Sequence, residues 1–287
     1  MYLRLRNFMV LALLLVSLHL FSTDPATPQP RQQAWTVLNS GLAHTKAQHR
    51  VEAVRALSLV TGESAPVKLA LHALAADNAE VRAAAATTLG QLHAATAIPE
   101  LRQALSDKEI AVVLAASQAL YQLRDKSAYG VYYAILMGDK KASDGLIQSQ
   151  LDRLKDPKKV ALLGFQEGMG FVPYGGIGVE AYRVAKNDNS QVRAVAARFL
   201  AHDPDPMSGD ALVQIALADN NATVRQAALD ALAERGDATC IERLQRNLSD
   251  PKVAIRYRTA AVILHLSDLQ KKGTRRKASQ ALELQRQ

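Results

Sequence analysis

A repeat with a spacing of 31 or 32 residues constrains the fold of this chain more than any other feature. Each copy starts with an apolar residue, continues through an Ala-rich stretch and ends with an aliphatic residue eight positions later. The copies run Val81–Leu89, Val112–Leu120, Val192–Leu200, Val224–Leu232 and Ile255–Ile263, with a weaker one at His49–Leu57. Periods of this length mark stacked supersecondary units, so the pattern predicts a solenoid.

One step between copies is irregular, because 80 residues separate Val112 from Val192. A degenerate copy at Ser143–Leu151 fits this interval and leaves about 18 residues beyond an ordinary repeat. The sequence therefore predicts about seven helical hairpins, near residues 33–62, 63–94, 95–125, 126–155, 156–203, 204–235 and 236–267.

The composition favours an all-α fold. Hydrophobic residues make up 48% of the chain, mostly Ala and Leu, and aromatic residues only 5%. Such small and unbranched side chains suit closely packed helices. The closing residues Leu89, Leu120 and Leu232 should therefore be buried. An Asp before each block, as in Leu248-Ser249-Asp250, is expected to accept hydrogen bonds from the free amides that open the next helix.

The repeated unit resembles the short HEAT repeats known as PBS-lyase HEAT-like repeats. The resemblance rests on Asp77 followed by Val81-Arg82-Ala83-Ala84 and on Asp219 followed by Val224-Arg225-Gln226-Ala227-Ala228. It covers nearly all of residues 33–267 and weakens in the fourth and fifth units. It implies an α-solenoid in which the repeated Asp and Arg form a ladder between hairpins, and thereby structural roles for Asp77, Arg82, Asp188, Arg193, Asp219, Arg225, Asp250 and Arg256.

The first 22 residues have the form of a secretory signal. A basic start is followed by an apolar run from Phe8 to Phe21, and a Pro-rich linker occupies residues 23–32. Fourteen apolar-run residues are short of the roughly 20 that span a bilayer. We expect an exported protein, periplasmic or extracellular, with an uncleaved signal that anchors the chain as the alternative. The lone Cys240 cannot form an intrachain disulfide, so a buried thiol is expected.

The net charge of +8 is carried mainly by the two ends. Residues 1–22 contribute +2 and residues 271–287 contribute +5, which leaves +1 for residues 23–270. A body this close to neutral argues against nucleic-acid binding by the folded part. The basic tail at 268–287 is interpreted as a solvated, mobile end, with weak contact to an anionic surface as the alternative.

An insert at residues 164–178 departs from the repeat. It holds six of the chain's 15 glycines, and aromatic residues gather around it. Glycines permit tight turns, and aromatic side chains are enriched at interfaces, so the insert predicts a binding loop. Packing between two degenerate repeats explains the same residues. The candidate partner-binding residues are Phe165, Phe171, Tyr174, Gly175, Gly176, Gly178, Tyr132 and Tyr133.

Enzymatic motifs are scarce in this sequence. The insert does not match a phosphate-binding glycine loop, and no His-Glu-x-x-His motif or Cys-based zinc cluster occurs. His44 and His49 are five residues apart, off a common helix face. We therefore expect no cofactor and no catalytic site. Deoxyhypusine hydroxylase, which has similar repeats, holds iron through His-Glu pairs, and the chain contains no His-Glu dipeptide.

Two functions remain open from the sequence. The first is an exported, non-enzymatic scaffold that presents a stacked-helix surface to a protein partner. The second is an enzyme or small-ligand-handling protein with its site at 164–178, for example of the lyase type with a tetrapyrrole ligand, as the resemblance implies. An enclosed apolar pocket with convergent polar groups would favour the second function, and an open groove the first.

Overall fold

The computed structural model describes residues 29–62, 64–131 and 190–284, and every regular element among them is helical. Before the gap lie α1 (Pro30–Leu42), α2 (Ala47–Ala56), α3 (Ala65–Leu74), α4 (Ala79–Gln91), α5 (Ile98–Ala104) and α6 (Ile110–Gln122). After it lie α7 (Ser190–Leu200), α8 (Pro206–Ala218), α9 (Ala222–Arg235), α10 (Ile241–Leu244) and α11 (Val253–Leu284). None of these helices is both long and apolar enough to cross a membrane.

The helices pair into hairpins at the predicted period. The first three hairpins are α1 with α2, α3 with α4, and α5 with α6, and two more are α8 with α9 and α10 with α11. The second helices form an inner row, in which α2 packs on α4 and α4 on α6, while α7 packs on α9 and α9 on α11. The all-α solenoid of the sequence analysis is thereby confirmed. The hairpins predicted at 126–155 and 156–203 lie largely outside the described residues.

Short local signals fix the ends of the helices. The Asn221 side chain caps α9 by accepting hydrogen bonds from the amides of Thr223 and Val224. At the other end, Gly236 closes α9 in the left-handed conformation with φ of 71°, which glycine adopts without steric cost. Asn78 caps α4 in the same way through the amide of Val81. These signals repeat because the hairpins repeat.

The predicted core residues are buried as expected. Leu89, Leu120 and Leu232 are at most 1% exposed, which confirms the register of the repeat. The core is continuous across the stack, and Ala side chains fill much of it. Gly90 on α4 illustrates how close the helices come, because a Cβ atom there would lie 2.8 Å from the Cα of Ala119 on α6.

The first and last hairpins also pack against each other, through contacts of α11 with α1 and α2 that we call the seam. In a linear solenoid each repeat contacts only its sequence neighbours. Here the Tyr257 ring of α11 is fully buried against Gly41, and its hydroxyl lies 2.8 Å from Nδ1 of His49. The described layers therefore stack in the order α7, α9, α11, α2, α4, α6.

The last helix does not stop where the repeat pattern does. The pattern ends near residue 267, whereas α11 continues to Leu284, through most of the basic tail at 268–287. The sequence from 267 to 284 contains no proline and only one glycine, Gly273. Nothing in it terminates a helix that the core has already nucleated. The tail that the sequence analysis expected to be solvated is exposed from Leu269 to Arg276, and it is helical.

Candidate interaction groove

The residues singled out around the insert lie outside the described residues. This holds for Phe165, Phe171, Tyr174, Gly175, Gly176, Gly178, Tyr132 and Tyr133, and for Asp188 of the ladder. Two aromatic residues of the same region are described. Tyr121 and Tyr129 form an edge-to-face pair with ring centroids 6.1 Å apart, and they are 49% and 58% exposed. These two rings face solvent, so they do not fill a gap in the core.

The described surface contains an open groove along α8. Its volume is about 870 Å³, and it runs between α8 and the short helix α10 of the next hairpin. A smaller open cavity of about 270 Å³ adjoins it, because Gln214 and Ala218 line both. The main groove is lined by Met207, Asp210, Ala211, Gln214, Leu217, Ala218, Glu242, Arg243 and Arg246.

The groove combines an apolar floor with charged walls. Met207 is 75% exposed at its edge, and methionine side chains adapt to partners of varied shape. The Arg243 guanidinium donates to the Asp210 carboxylate across the groove, and both side chains are largely exposed. Such an exposed pair contributes little to stability, so it is available to exchange partners. The arrangement suits a peptide or helix that carries both apolar and charged groups.

Sequence reasoning missed this groove because its residues do not stand out from the repeat. They occupy the first helices of two adjacent hairpins, where exposed positions vary from unit to unit. One signal was present: Met207 follows Pro206 at the start of α8, a position that faces solvent in a hairpin. Single exposed apolar side chains are common on protein surfaces, however, so this residue alone does not identify a groove.

The ladder residues join each hairpin to the next. Nε and Nη2 of Arg82 donate to the two carboxylate oxygens of Asp107 over 2.7 and 2.9 Å, in a bidentate pair. Arg193 donates from Nη1 to Oδ2 of Asp219, and Arg225 donates from Nη2 to Oδ2 of Asp250. Each Arg thus reaches the Asp of the following repeat. Asp107, which the resemblance does not single out, belongs to the ladder.

Two other ladder residues take part through backbone carbonyls. Arg82 donates from Nη1 to the carbonyl of Asp77 over 2.8 Å, and Arg256 donates from Nε to the carbonyl of Asp250 over the same distance. The Asp77 contact involves its backbone, whereas the side chains of Asp107, Asp219 and Asp250 receive the Arg partners. These contacts stabilise the turns rather than present a ligand site.

The turn Asp residues bind backbone amides two positions on. Asp250 accepts from the amide of Lys252, and Asp107 accepts from that of Glu109, over 2.8 and 2.9 Å. They close an Asx turn before the helix instead of capping it. Asn78 and Asn221 cap α4 and α9, whereas α6, which follows Asp107, has no side-chain cap. The sequence analysis expected the Asp itself to cap the helix. The difference arises because the Asp lies two residues before the N-cap position, which is Glu109 for α6 and Asn221 for α9.

The electrostatics of the ladder favour the ionised state of Asp107. Burial works against ionisation, yet the hydrogen bonds from Arg82 and from the Glu109 amide outweigh it and hold the pKa of Asp107 below its ordinary value. The pKa of Arg82 is raised, chiefly by the hydrogen bond to Asp107. The pair is thus charged at all moderate pH values.

The histidines form a contact that the sequence spacing did not predict. The His44 and His49 rings stack with centroids 3.7 Å apart, although residues five apart do not share a helix face. The reason is that His44 precedes α2 and lies in the turn, from which its ring folds back over the helix start.

The described residues contain no group of three or more His, Cys, Asp or Glu side chains that could hold a metal ion.

Cys240 is buried and free. Burial raises the pKa of its thiol to about 11, and the nearby Asp237 adds to the effect. A thiol with such a pKa is protonated at neutral pH and is a poor nucleophile. The geometry therefore gives Cys240 a packing role.

Comparison with known proteins supports the helical-repeat architecture. A family model described as HEAT repeats matches residues 67–131 and 182–267, which is more than half of the chain. No curated protein matches the chain. Among solved structures, it is similar to the complex of CpcE and CpcF of phycocyanin lyase from Nostoc sp. PCC7120, with 18% identity, coverage of 88% of this chain and 97% of that chain, and a TM-score of 0.33. It is also similar to human deoxyhypusine hydroxylase in complex with glycerol, with 18% identity, coverage of 83% and 97%, and a TM-score of 0.33.

Proposed function

The chain belongs to the HEAT-repeat family, and from that premise we propose that it is a non-enzymatic scaffold that binds a protein partner in the groove along α8. The observation that carries the proposal is the open form of this groove, about 870 Å³ in volume. Enzymes and ligand-handling proteins enclose most of a small substrate. An open surface between stacked helices instead admits an extended or helical segment of another protein.

The chemistry of the groove defines the partner. Its floor offers Ala211, Leu217 and Ala218, and its walls carry both signs of charge. A segment with one or two apolar side chains flanked by an acidic and a basic residue would match it. The apolar contact supplies affinity, and the charges fix the orientation.

The scaffold is proposed to act outside the cytoplasm, in the periplasm or the extracellular space. The support is the signal-like segment at 1–22, with its basic start and apolar run. A fusion of the N-terminal segment to alkaline phosphatase, which becomes active only after export, tests this part separately. An inactive fusion that accumulates inside the cell would contradict it.

The groove is tested by capture of partners from the exported fraction, followed by binding measurements with the identified partner in purified form. Met207→Lys places a charge at the edge of the groove, where its high exposure spares the fold. Gln103→Lys adds the same residue at an exposed position on α5 and serves as the matched control. We expect the first variant to weaken binding about tenfold or more and the control to bind like the parent.

A third variant, Phe165→Ala with Phe171→Ala and Tyr174→Ala, tests the insert as the site. If this variant loses the partner while Met207→Lys retains it, the insert is the site and the groove is not. If the parent captures no protein but binds a small molecule in a ligand screen, the scaffold function itself is wrong.

A further inference from the structure

The last helix carries a concentrated, exposed positive charge beyond its buried part. Along α11, Leu264, Leu266 and Ser267 are still buried, whereas every residue from Leu269 to Arg276 is exposed. The exposed part contains Lys271, Lys272, Arg275 and Arg276. No ion pair among the described residues involves any of the four. The four side chains are exposed to solvent, although the Lys272 ammonium lies close to Gly62, in the loop before α3.

The four cations lie on one side of the helix. Lys271 and Arg275 are four residues apart, as are Lys272 and Arg276, so each pair lies one above the other. At 100° per residue the four side chains fall within an arc of about 140°. This part of α11 has no aromatic side chain, and its only other charged side chain up to Leu284, besides Lys277, is Glu283. The face is thus cationic rather than amphipathic.

The start of the described chain lies at the root of this basic helix. Nη2 and Nε of Arg31, at the start of α1, donate to Oδ1 of Asp268 over 3.0 and 3.2 Å, although 237 residues separate the two. The side chain of Asp268 is buried, and that of Arg31 is one quarter exposed. The contact holds the start of α1 within one turn of Lys271.

We propose that the basic face of α11 binds an anionic lipid surface. Clustered Lys and Arg side chains are attracted to acidic headgroups without inserting into the bilayer. The sparse apolar content of this segment fits adsorption at the surface rather than burial in it. A single-strand nucleic-acid site would be expected to carry aromatic rings for base stacking, and the exposed basic part of α11 has none, which favours a lipid surface over a nucleic acid.

The proposal is tested by cosedimentation of the full chain, as expressed, with lipid vesicles. Vesicles of phosphatidylcholine alone report any binding through the N-terminal apolar run. Vesicles of equal parts phosphatidylcholine and phosphatidylglycerol report the electrostatic contribution. We expect strong preference for the anionic vesicles at low salt and loss of that preference at high salt.

The variant Lys271→Gln, Lys272→Gln, Arg275→Gln and Arg276→Gln removes the basic face. We expect its partition onto anionic vesicles to fall on the order of a hundredfold, since each basic residue near the surface changes the partition several-fold. The matched control replaces four exposed lysines elsewhere, Lys46, Lys68, Lys126 and Lys252, by Gln. It changes the net charge equally and should keep most of the binding. Circular dichroism establishes that both variants fold.

Three results would overturn the proposal. The first is binding of the α11 variant to anionic vesicles as tightly as the parent. The second is an equal loss in the control, which would make net charge alone responsible. The third is tighter binding of the parent to duplex DNA or transfer RNA than to the anionic vesicles at the same salt concentration, which would assign the basic face to a nucleic acid.

Discussion

The seam between the first and last hairpins can be tested at a single glycine. A Cβ atom at Gly41 would lie 2.6 Å from two ring carbons of Tyr257 and 2.9 Å from the Cβ of Ala53. Carbon atoms pack best at about 3.5 to 4.0 Å, so Gly41→Ala forces α1 away from α11. The Tyr257 ring is fully buried, so the side chains around it restrict its movement.

The size of the effect follows from two opposing contributions. Replacing a helical glycine by alanine gains up to about 1 kcal/mol in conformational free energy. Overpacking a closely fitted core costs about 1 to 3 kcal/mol. Because the predicted overlap is about 1 Å, we expect Gly41→Ala to lower the free energy of unfolding by about 1 to 2 kcal/mol.

Gly209 on α8 provides the matched control. A Cβ atom there would meet nothing nearer than 3.5 Å, and that neighbour is the end of the Arg235 side chain. Gly209→Ala should therefore gain the helix-propensity term and stabilise the protein by up to about 1 kcal/mol. Both variants are compared by urea denaturation followed by circular dichroism.

Hydrogen exchange read by mass spectrometry then locates the change. In Gly41→Ala we expect faster exchange in α1 and in the part of α11 around Tyr257, because stacked repeats open region by region. Exchange in α4 and α6 should change little. If Gly41→Ala is as stable as Gly209→Ala and exchange in α11 is unaltered, the first and last hairpins do not pack together and the reasoning is refuted.

Three further predictions address the seam and the core. Acid should weaken the seam. Burial lowers the pKa of His49, and the nearby charges of His44, Arg256 and Lys46 lower it further. Burial also lowers the pKa of His265. As the pH falls through their ordinary pKa of 6.5, these histidines bind protons in the unfolded chain but not yet in the folded one. Their contribution to stability is therefore present above that pH and is lost as the pH falls. The prediction is contradicted if thermal melts of a folded His49→Gln variant show the same pH dependence as those of the parent. Leu232→Asp should destabilise the protein by several kcal/mol, because it buries an unpaired charge at a position 1% exposed, and an unchanged circular-dichroism melt would refute the register. The Cys240 thiol, with its pKa raised to about 11, should react with iodoacetamide at neutral pH only after unfolding; rapid labelling of the native protein would argue against its burial.

Much of the local structure follows from the sequence. The period places Leu89, Leu120 and Leu232 on the buried side, because a residue that recurs every 31 or 32 positions meets the same neighbours in every hairpin. The pairing of Arg82 with the next repeat has the same origin: one hairpin sets the distance from its Arg to the following Asp. Local rules therefore suffice for features that each repeat contains.

The seam could not be predicted in this way. His49 and Tyr257 are 208 residues apart, and neither lies in a sequence motif that would identify the residue it contacts. The repeat that packs on the first hairpin is determined by the total rotation that successive hairpins add up to. The spacing of the repeats in the sequence gives no information about that angle. The stacking of His44 on His49 was missed for a related reason. The spacing rule holds within a helix, and His44 precedes the helix.

The seam also determines what the basic helix can do. Cations on the end of an unsupported helix would bind a surface without orienting the body behind them. Arg31 holds Asp268, and Tyr257 packs on Gly41 about three turns earlier on the same face of α11. The last hairpin, from which the basic segment extends, is therefore tied to the first hairpin at two points. A chain adsorbed through Lys271 and its neighbours would therefore hold the stack of hairpins in one orientation to the lipid. The groove along α8 would then face in a fixed direction, which for a scaffold decides which partners can reach it.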